Sequence, residues 1–327
     1  MDVIFPNQFD NPNHVKVAAL DSIYVTHQDL TQAIEGITEC ISWSKNSLEP
    51  KGALLTGLGG AGKTTICKAI LKRYPPALVT IDGTLINTVP AFYSSVPSPC
   101  GIKSLASSML EQLGDPSPGR GTAYSLTNRL CKLLVECRTR IIILDELHHL
   151  LRMKGRGQTK AQEVCEWLKS LMNSAGVMIC LVGTPSCESI LQGDSQMSRR
   201  FAHRYRLHDL SCGTSAEPGT LTGFLQHLVV KYSESLGGVA MPDFFSHDLV
   251  AKMWAATSGR PSFITLLLQR AILTALNGQR TSVTASDLAY AFDLRVTIDV
   301  AQSTQNPFEM LNYELTDSVL SKMRVKK

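Results

Sequence analysis

The chain has 327 residues, of which 44% are hydrophobic and 18% charged, and its net charge is +4. This composition excludes a disordered chain and predicts one large or two modest globular domains. The nine cysteines form no C-x-x-C pair, the first residues lack a basic and apolar leader, and no apolar run approaches the roughly 18 residues of a membrane span. We therefore expect no disulfide framework, no zinc site, no membrane association and a cytoplasmic location.

Helices and strands are predicted to alternate over the first two thirds of the chain. An arm at residues 1–24 precedes a helix that ends near residue 44. Short apolar runs predict buried strands at Gly52–Thr56, Ala77–Asp82, Arg140–Leu144 and Val177–Val182. Helical patterns separate them, at Thr64–Tyr74, Ile102–Leu113, Tyr124–Cys137 and Ala161–Ser174. This order predicts an α/β domain, spanning about 25–215, whose parallel sheet is flanked by helices.

The last third of the chain has no clear strand pattern. Four helices are predicted there, at Thr220–Leu236, Ser246–Thr257, Pro261–Leu276 and Thr284–Phe292. We therefore expect an all-helical domain at 216–300 and a tail at 301–327. The tail contains Asn306-Pro307-Phe308, which is compatible with binding to a partner or a neighbouring subunit, or with disorder.

A glycine-rich stretch lies between the first predicted strand and the following helix. It fits G-x-x-x-x-G-K-[ST] at every fixed position. In this motif backbone N–H groups and the helix N-terminus hold phosphate oxygens. Lys63 is expected to reach the β- and γ-phosphates, and the Thr64 hydroxyl to ligate Mg²⁺. The predicted nucleotide-binding residues here are Gly57, Gly59, Gly60, Ala61, Gly62, Lys63, Thr64 and Thr65.

Two acids end the buried strand IIIL. Asp145 is expected to hold Mg²⁺ through water, and Glu146 to polarise the water that attacks the γ-phosphate. Alone, such a pair could merely end a strand, but beside a P-loop it predicts ATP binding and hydrolysis. The following pair, His148-His149, has no H-x-x-x-H or C-x-x-C partner, and adjacent residues on a helix face different directions. The sequence therefore predicts no metal site at these histidines.

Three further features suit the AAA+ class of P-loop ATPases. Thr184 follows the strand VMICLV, where this class keeps a polar residue near the γ-phosphate, although asparagine is more usual. Arg200, with Arg199 as the alternative, lies where an arginine reaches into a neighbouring subunit's site. Arg260 begins a helix of the second domain, at the position of a nucleotide-sensing arginine. Both arginine positions are also compatible with ordinary surface charge.

Positive charge is concentrated in residues 101–160, which hold ten Lys and Arg against five Asp and Glu. A local excess of this kind can contact a polyanion. It is equally compatible with a solvated charged face.

Taken together, GLGGAGKTT, IIILDELHHLL, VMICLVGTP, SRRF, SGRP and the NPF tail resemble the TnsC/TniB family of bacterial transposition ATPases. The resemblance covers about residues 20–310 and implies a P-loop AAA+ core with a parallel sheet flanked by helices and a C-terminal all-helical lid. It further implies rings or filaments assembled with ATP on double-stranded DNA, of the kind found in CRISPR-associated transposons. The implied partners are a TniQ-type target selector and a DDE transposase of the TnsB or TniA type, with TnsA as a further candidate partner.

The resemblance also implies roles for single residues. DNA contacts, mostly to the backbone, are expected from Lys103, Arg120 and Thr122, and also from Lys132 and Arg152. Ile23 and Tyr24 are expected to close over the nucleotide base. Each of these residues could instead be plain surface charge or simple packing.

Two other classes of protein share the P-loop. Replication initiators and ExeA-like secretion ATPases share the nucleotide residues, but we expect the former to add a DNA-reading domain and the latter a membrane or wall-binding segment. A small-molecule kinase would need an acceptor site and an arginine-rich lid, and the Asp-Glu pair fits it poorly.

Overall fold

The computed structural model describes residues 11–47, 49–81, 83–151 and 157–311. The chain divides into two compact units. The α/β unit is Gln28–His208, and the helical unit comprises the described parts of Met1–His27 and Asp209–Lys327. The division falls close to the boundary expected near residue 215, but the N-terminal segment belongs with the helices of the last third of the chain.

A five-stranded parallel sheet forms the centre of the α/β unit. The strands in chain order are β1 (Ala53–Gly57), β2 (Ala77–Ile81), β3 (Thr84–Thr88), β4 (Ala91–Ser95), β5 (Ile141–Asp145), β6 (Met178–Gly183) and β7 (His203–Leu207). The order across the sheet is β4-β5-β6-β1-β7, and every neighbouring pair is parallel. The carboxyl ends of all five strands therefore lie along one edge, where loops can meet to form a site.

The helices of this unit cover both faces of the sheet. They are α2 (Gln28–Asn46), α3 (Lys63–Arg73), α4 (Ile102–Gln112), α5 (Ala123–Glu136), α6 (His148–Leu151), α7 (Gly157–Ala175), α8 (Glu188–Gln192) and α9 (Ser195–Arg200). Every residue of β1, β5 and β6 is buried. Since successive side chains of a strand point to opposite faces, Ile142 and Leu144 pack into the core with α4, α5 and α7, whereas Ile141 and Ile143 pack into the core with α2 and α3.

Four strands, β2, β3, β4 and β7, differ from the sequence prediction. The run at Ala77–Asp82 is predicted as a buried strand, but β2 pairs antiparallel with β3 in a separate two-stranded sheet. Gly83 supplies the positive φ of 74° that their short connection needs. The main sheet instead includes β4 and β7, which no apolar run announces. β7, with the sequence HRYRL, alternates partly buried and exposed residues because it lies at an edge of the sheet.

The helical unit contains α1 (Pro12–Ala19), α10 (Thr220–Ser235), α11 (His247–Thr257), α12 (Pro261–Asn277) and α13 (Ala285–Asp293). The four helices predicted after residue 215 are thus confirmed. The N-terminal arm is more ordered than the sequence suggests. Asn11 caps α1 by accepting the Asn13 N–H at 2.9 Å, Pro12 occupies its first position, and Leu20 and Val25 are buried in the core of this unit.

Over the described ranges of the chain, no helix combines the length and the apolar character that crossing a bilayer requires.

Candidate functional site

The glycine-rich loop joins β1 directly to α3. Gly60 and Gly62 have φ values of 82° and 103°, which L side chains rarely adopt, and they turn the chain into the helix. Ala61 between them is fully buried and anchors the loop in the core. Gly62 is the N-cap, and α3 begins at Lys63. The first N–H groups of a helix have no partner within it, so this terminus can hold an anion.

Lys63 lies in the field of two acids on another strand. Its Nζ donates to the carbonyl oxygens of Gly57 at 2.8 Å and Leu58 at 2.9 Å. Burial lowers the pKa of Lys63, and the carboxylates of Asp145 and Glu146 act in the opposite direction. β6 lies between β1 and β5 and all three strands are parallel, so the two predicted halves of the nucleotide site lie at the same edge of the sheet.

The other predicted phosphate-binding residues of the loop differ in exposure and in the space around them. Thr64 is exposed on the first turn of α3, whereas Thr65 is partly buried. A Cβ added to Gly59 would meet nothing within 4 Å. One added to Gly57 would lie 3.1 Å from Leu207 Cβ, so Gly57 allows close packing of β1 against β7.

Asp145 ends β5 and is 6% exposed. Its Oδ2 accepts the Tyr93 hydroxyl at 2.9 Å, and its Oδ1 accepts the N–H of Glu146 at 2.7 Å. Burial and the bond to Asp145 both raise the pKa of Tyr93, which keeps the phenol neutral as a donor. Tyr93 lies on β4, so sequence reasoning missed it together with its strand.

Glu146 has left-handed backbone geometry, with φ of 60°. The next residue, Leu147, donates its N–H to the Val182 carbonyl at 3.1 Å, which ties this turn to β6. The Glu146 side chain is 46% exposed, and its Oε2 lies 3.0 Å from His148 Nδ1. The two predicted acids thus differ: Asp145 is held in place and buried, whereas Glu146 is accessible.

The expectation that His148 and His149 diverge is wrong. Their ring centroids lie 4.6 Å apart, because His148 is the first residue of the single-turn helix α6 and follows the left-handed turn at Glu146. His149 Nδ1 lies 2.7 Å from the Val96 carbonyl oxygen. One ligand atom from each of Glu146, His148 and His149 falls within a span of 4.8 Å.

Thr184 follows β6 and is the N-cap of the 3-10 turn Pro185–Cys187. Its hydroxyl lies 2.8 Å from that of Ser186. Sequence reasoning missed Glu188 nearby, whose Oε1 accepts the hydroxyl of the buried Thr56 at 3.3 Å. Thr184 and Glu188 therefore add polar groups beside the ends of β6 and β1.

The two arginines at the end of α9 have opposite environments. Arg200 has 8% of its side chain exposed, donates to the Pro50 carbonyl at 3.0 Å and lies 3.7 Å from Glu49. Arg199 has 68% exposed and lies 3.5 Å from Glu49. Arg200, the first choice from the sequence, is engaged within its own chain, so the exposed alternative is the one that a second molecule can reach.

Arg260, Ile23 and Tyr24 lie in the helical unit. Arg260 precedes Pro261 at the start of α12, and its Nε lies 3.5 Å from Asp209 Oδ2. Ile23 packs partly buried on the helical core. Tyr24 is 52% exposed, and its backbone carbonyl accepts a hydrogen bond from the Lys231 ammonium at 3.0 Å.

The residues expected at DNA lie on α4, on α5 and on the loop between them. Lys103, Arg120 and Lys132 are exposed. Thr122 is exposed too, but its hydroxyl accepts the Ser125 N–H at 3.2 Å as the N-cap of α5. Arg129 fixes the loop, because its Nε lies 2.6 Å from Asp115 and its guanidinium donates to the Ser117 carbonyl at 2.7 Å. Arg152 lies outside the described residues.

Three solved structures have a similar fold at low identity. Cdc6p from Pyrobaculum aerophilum has a TM-score of 0.58 at 15% identity, over 88% of this chain and 72% of that chain. ORC2 of Aeropyrum pernix, in its ADPNP-ADP complexes, has a TM-score of 0.58 at 16% identity, over 84% of this chain and 70% of that chain. ORC1 of Aeropyrum pernix, in complex with DNA, has a TM-score of 0.55 at 19% identity, over 83% of this chain and 66% of that chain. The likeness establishes the AAA+ fold, with the parallel sheet and helical second unit that the sequence predicts.

A comparison with curated proteins finds no match. The family described as "Bacterial TniB protein" matches residues 17–208, which is more than half of the chain and includes the P-loop, the Asp145-Glu146 pair and both arginines of α9. The resemblance seen in the sequence motifs is confirmed at the level of the family. The chain belongs to the TniB family.

Proposed function

We propose that this chain is an ATPase that binds Mg²⁺-ATP at its P-loop and thereby controls its own assembly on double-stranded DNA during transposition. The observation that carries the proposal is that the P-loop follows β1 and begins α3, while Asp145 and Glu146 lie at the end of β5, so that both groups lie at the same edge of the parallel sheet. This combination suits a bound triphosphate and the hydrolysis of its terminal phosphate. Membership of the TniB family supports the link to transposition.

The residues present fit a magnesium ion. Mg²⁺ prefers oxygen ligands and retains several waters. Thr64 offers an exposed hydroxyl, and Asp145 offers a carboxylate whose orientation Tyr93 and the Glu146 N–H fix. When bound, the ion would neutralise charge on the phosphate oxygens. Lys63 would bind the β- and γ-phosphates, the accessible Glu146 carboxylate would take a proton from the attacking water, and Thr184 would orient the γ-phosphate.

Arg199 is the better candidate for the arginine supplied to a neighbouring subunit. A group that acts on another molecule must be accessible, and Arg199 is 68% exposed while Arg200 is buried against Pro50. An arginine supplied in this way makes hydrolysis depend on assembly. Arg260 remains a proposed nucleotide sensor of the helical unit, and Ile23 and Tyr24 remain proposed contacts to the base.

The exposed Lys103, Arg120 and Lys132 support binding to the DNA backbone, with Thr122 holding the start of α5 beside them. A similar fold is found in an ORC1 protein solved with DNA. Assembled on DNA, the protein would connect a TniQ-type target selector to a DDE transposase of the TnsB or TniA type, with TnsA as a possible further partner, in the bacterial cytoplasm.

The test is DNA binding with a slowly hydrolysed ATP analogue, measured by fluorescence anisotropy over a range of salt concentrations. The wild-type protein should bind duplex DNA only with nucleotide. Lys103→Ala and Lys132→Ala should each reduce the slope of log affinity against log salt by about one, since each removes about one phosphate contact. Lys72→Ala is the matched control, because Lys72 is an exposed lysine of the same unit outside the proposed surface. DNA binding that ignores nucleotide would contradict the proposal.

A further inference from the structure

Glu146, His148 and His149 form a cluster of side chains. Only the Glu146 carboxylate has a role in the proposed hydrolysis of ATP. We propose that these three side chains form a binding site for a divalent transition-metal cation such as Zn²⁺, and that occupancy of this site inhibits ATP hydrolysis. The inhibitory half rests on the proposed ATPase function, whereas the binding site itself does not.

The arrangement of donor atoms supports the site. Within the described ranges of the chain, one atom from each residue lies within a span of 4.8 Å, and Glu146 Oε2 and His148 Nδ1 are already 3.0 Å apart. Zinc–nitrogen and zinc–oxygen bonds of about 2.0–2.1 Å place tetrahedral ligands about 3.3 Å from each other. The span of 4.8 Å is wider than this separation, so side-chain rotation has to bring the three atoms closer together around one ion.

The surroundings of His149 prepare it as a ligand. Its Nδ1 lies 2.7 Å from the Val96 carbonyl oxygen, which can only accept a hydrogen bond. Nδ1 is therefore the donor in this bond, which leaves Nε2 as the ring nitrogen that can bind a cation. A second ring nitrogen bonded to a backbone carbonyl is the usual orientation device of histidine ligands. Val96 is itself fixed, since its N–H donates to the Asp145 carbonyl at 2.9 Å.

The chemistry of the donors selects the cation. Two imidazoles and one carboxylate suit Zn²⁺ and other transition-metal ions, and three protein ligands leave further positions for water. Mg²⁺ prefers oxygen ligands and fits Thr64 and Asp145 better. A cation on Glu146 would occupy the lone pairs that otherwise take the proton from the attacking water. Nucleotide binding would continue, while hydrolysis would stop.

Zinc binding is measured first, on the full chain without affinity tag or nucleotide, by competition with a zinc-sensitive dye. His148→Gln and His149→Gln should each weaken binding at least about tenfold, the lower end of what loss of a mere supporting contact costs at metal sites. His227→Gln is the matched control, because His227 Nδ1 also lies 2.7 Å from a backbone carbonyl, that of Gly223, but His227 is not part of the cluster. Equal affinity in all four proteins, or no binding by the wild type, would overturn the site.

A second readout addresses the nine free cysteines, which could bind zinc independently. The Co²⁺ complex of the wild type should show visible d–d bands without thiolate charge-transfer absorption, and both histidine variants should lose these bands. A thiolate spectrum would overturn the assignment. Thermal melts of each variant check that the fold is retained.

The inhibitory half is tested by ATP hydrolysis in excess Mg²⁺ with rising Zn²⁺. Hydrolysis by the wild type and His227→Gln should fall at least about tenfold at zinc saturation, while His149→Gln should resist the same zinc concentration. If zinc acted only by binding ATP, hydrolysis by all variants would fall alike. That result would overturn the inhibitory role of the site. If no variant hydrolyses ATP but zinc binding still needs both histidines, the proposed function fails and the metal site stands.

Discussion

The two halves of the candidate nucleotide site are built in different ways. The P-loop is local, because its glycines, Lys63 and the start of α3 are consecutive in sequence. Its shape is set mainly by backbone conformation. The acidic half is assembled from distant segments. Asp145 is oriented by Tyr93, which is 52 residues away in sequence, and His149 by Val96, which is 53 residues away. A local site can be recognised in sequence, whereas a distributed one requires the strand order.

The largest expected effect is in the local half. Lys63→Ala removes the ammonium that faces the phosphates while leaving the loop backbone intact, so nucleotide binding should fall below detection. Calorimetric titration with ATP measures this directly. Lys72→Ala, on the exposed last turn of the same helix, should bind like the wild type. Near-normal ATP binding by Lys63→Ala would mean that the loop backbone alone holds the phosphates.

The next effect extends the comparison to two adjacent residues. Arg199→Ala should lower ATP hydrolysis in DNA-bound assemblies by about 10³-fold with unchanged thermal stability, since an arginine supplied to a neighbour contributes roughly this much. Arg200→Ala should instead lower the free energy of unfolding by about 1–3 kcal/mol, because it removes the buried donor to the Pro50 carbonyl. Hydrolysis assays and denaturant melts distinguish the two. Exchanged phenotypes would restore Arg200 as the catalytic arginine.

A third effect separates the two acids. Glu146→Gln keeps the size and shape of the side chain but replaces the carboxylate with a neutral amide, which cannot take a proton from water. Hydrolysis should therefore fall about 10²-fold or more, while ATP affinity stays within about twofold of the wild type. Steady-state hydrolysis and ATP titration together test this. Equal hydrolysis rates for Glu146→Gln and the wild type would refute the assignment of Glu146.

The smallest effect probes the support that sequence reasoning missed. Tyr93→Phe removes only the hydroxyl that donates to Asp145. The loss of one such bond should lower the free energy of unfolding by about 1–2 kcal/mol and hydrolysis by about fivefold, without abolishing nucleotide binding. Denaturant melts and hydrolysis assays measure both quantities. Behaviour identical to the wild type would show that the orientation of Asp145 does not depend on β4.

Features set by consecutive residues could be predicted from the sequence, whereas features that depend on contacts between distant segments could not. The buried strands β1, β5 and β6 could be predicted because each is a continuous, mostly apolar run that leads directly into residues of the candidate site. β4 and β7 could not, because their residues are mixed and their pairing with the central strands is not local. Arg199 and Arg200 are identical in type, and only the contacts with Glu49 and Pro50 distinguish them. The clustering of Glu146 with two histidines required the left-handed turn, which no residue pattern indicates.

The most direct test of the central claim is negative-stain electron microscopy of the purified protein with duplex DNA, with and without ATP or its slowly hydrolysed analogue. Rings or filaments should form on DNA only when nucleotide is present, and none should form with Lys63→Ala. Assemblies that form equally without nucleotide, or no assembly when both nucleotide and DNA are present, would contradict the claim that nucleotide binding controls assembly on DNA.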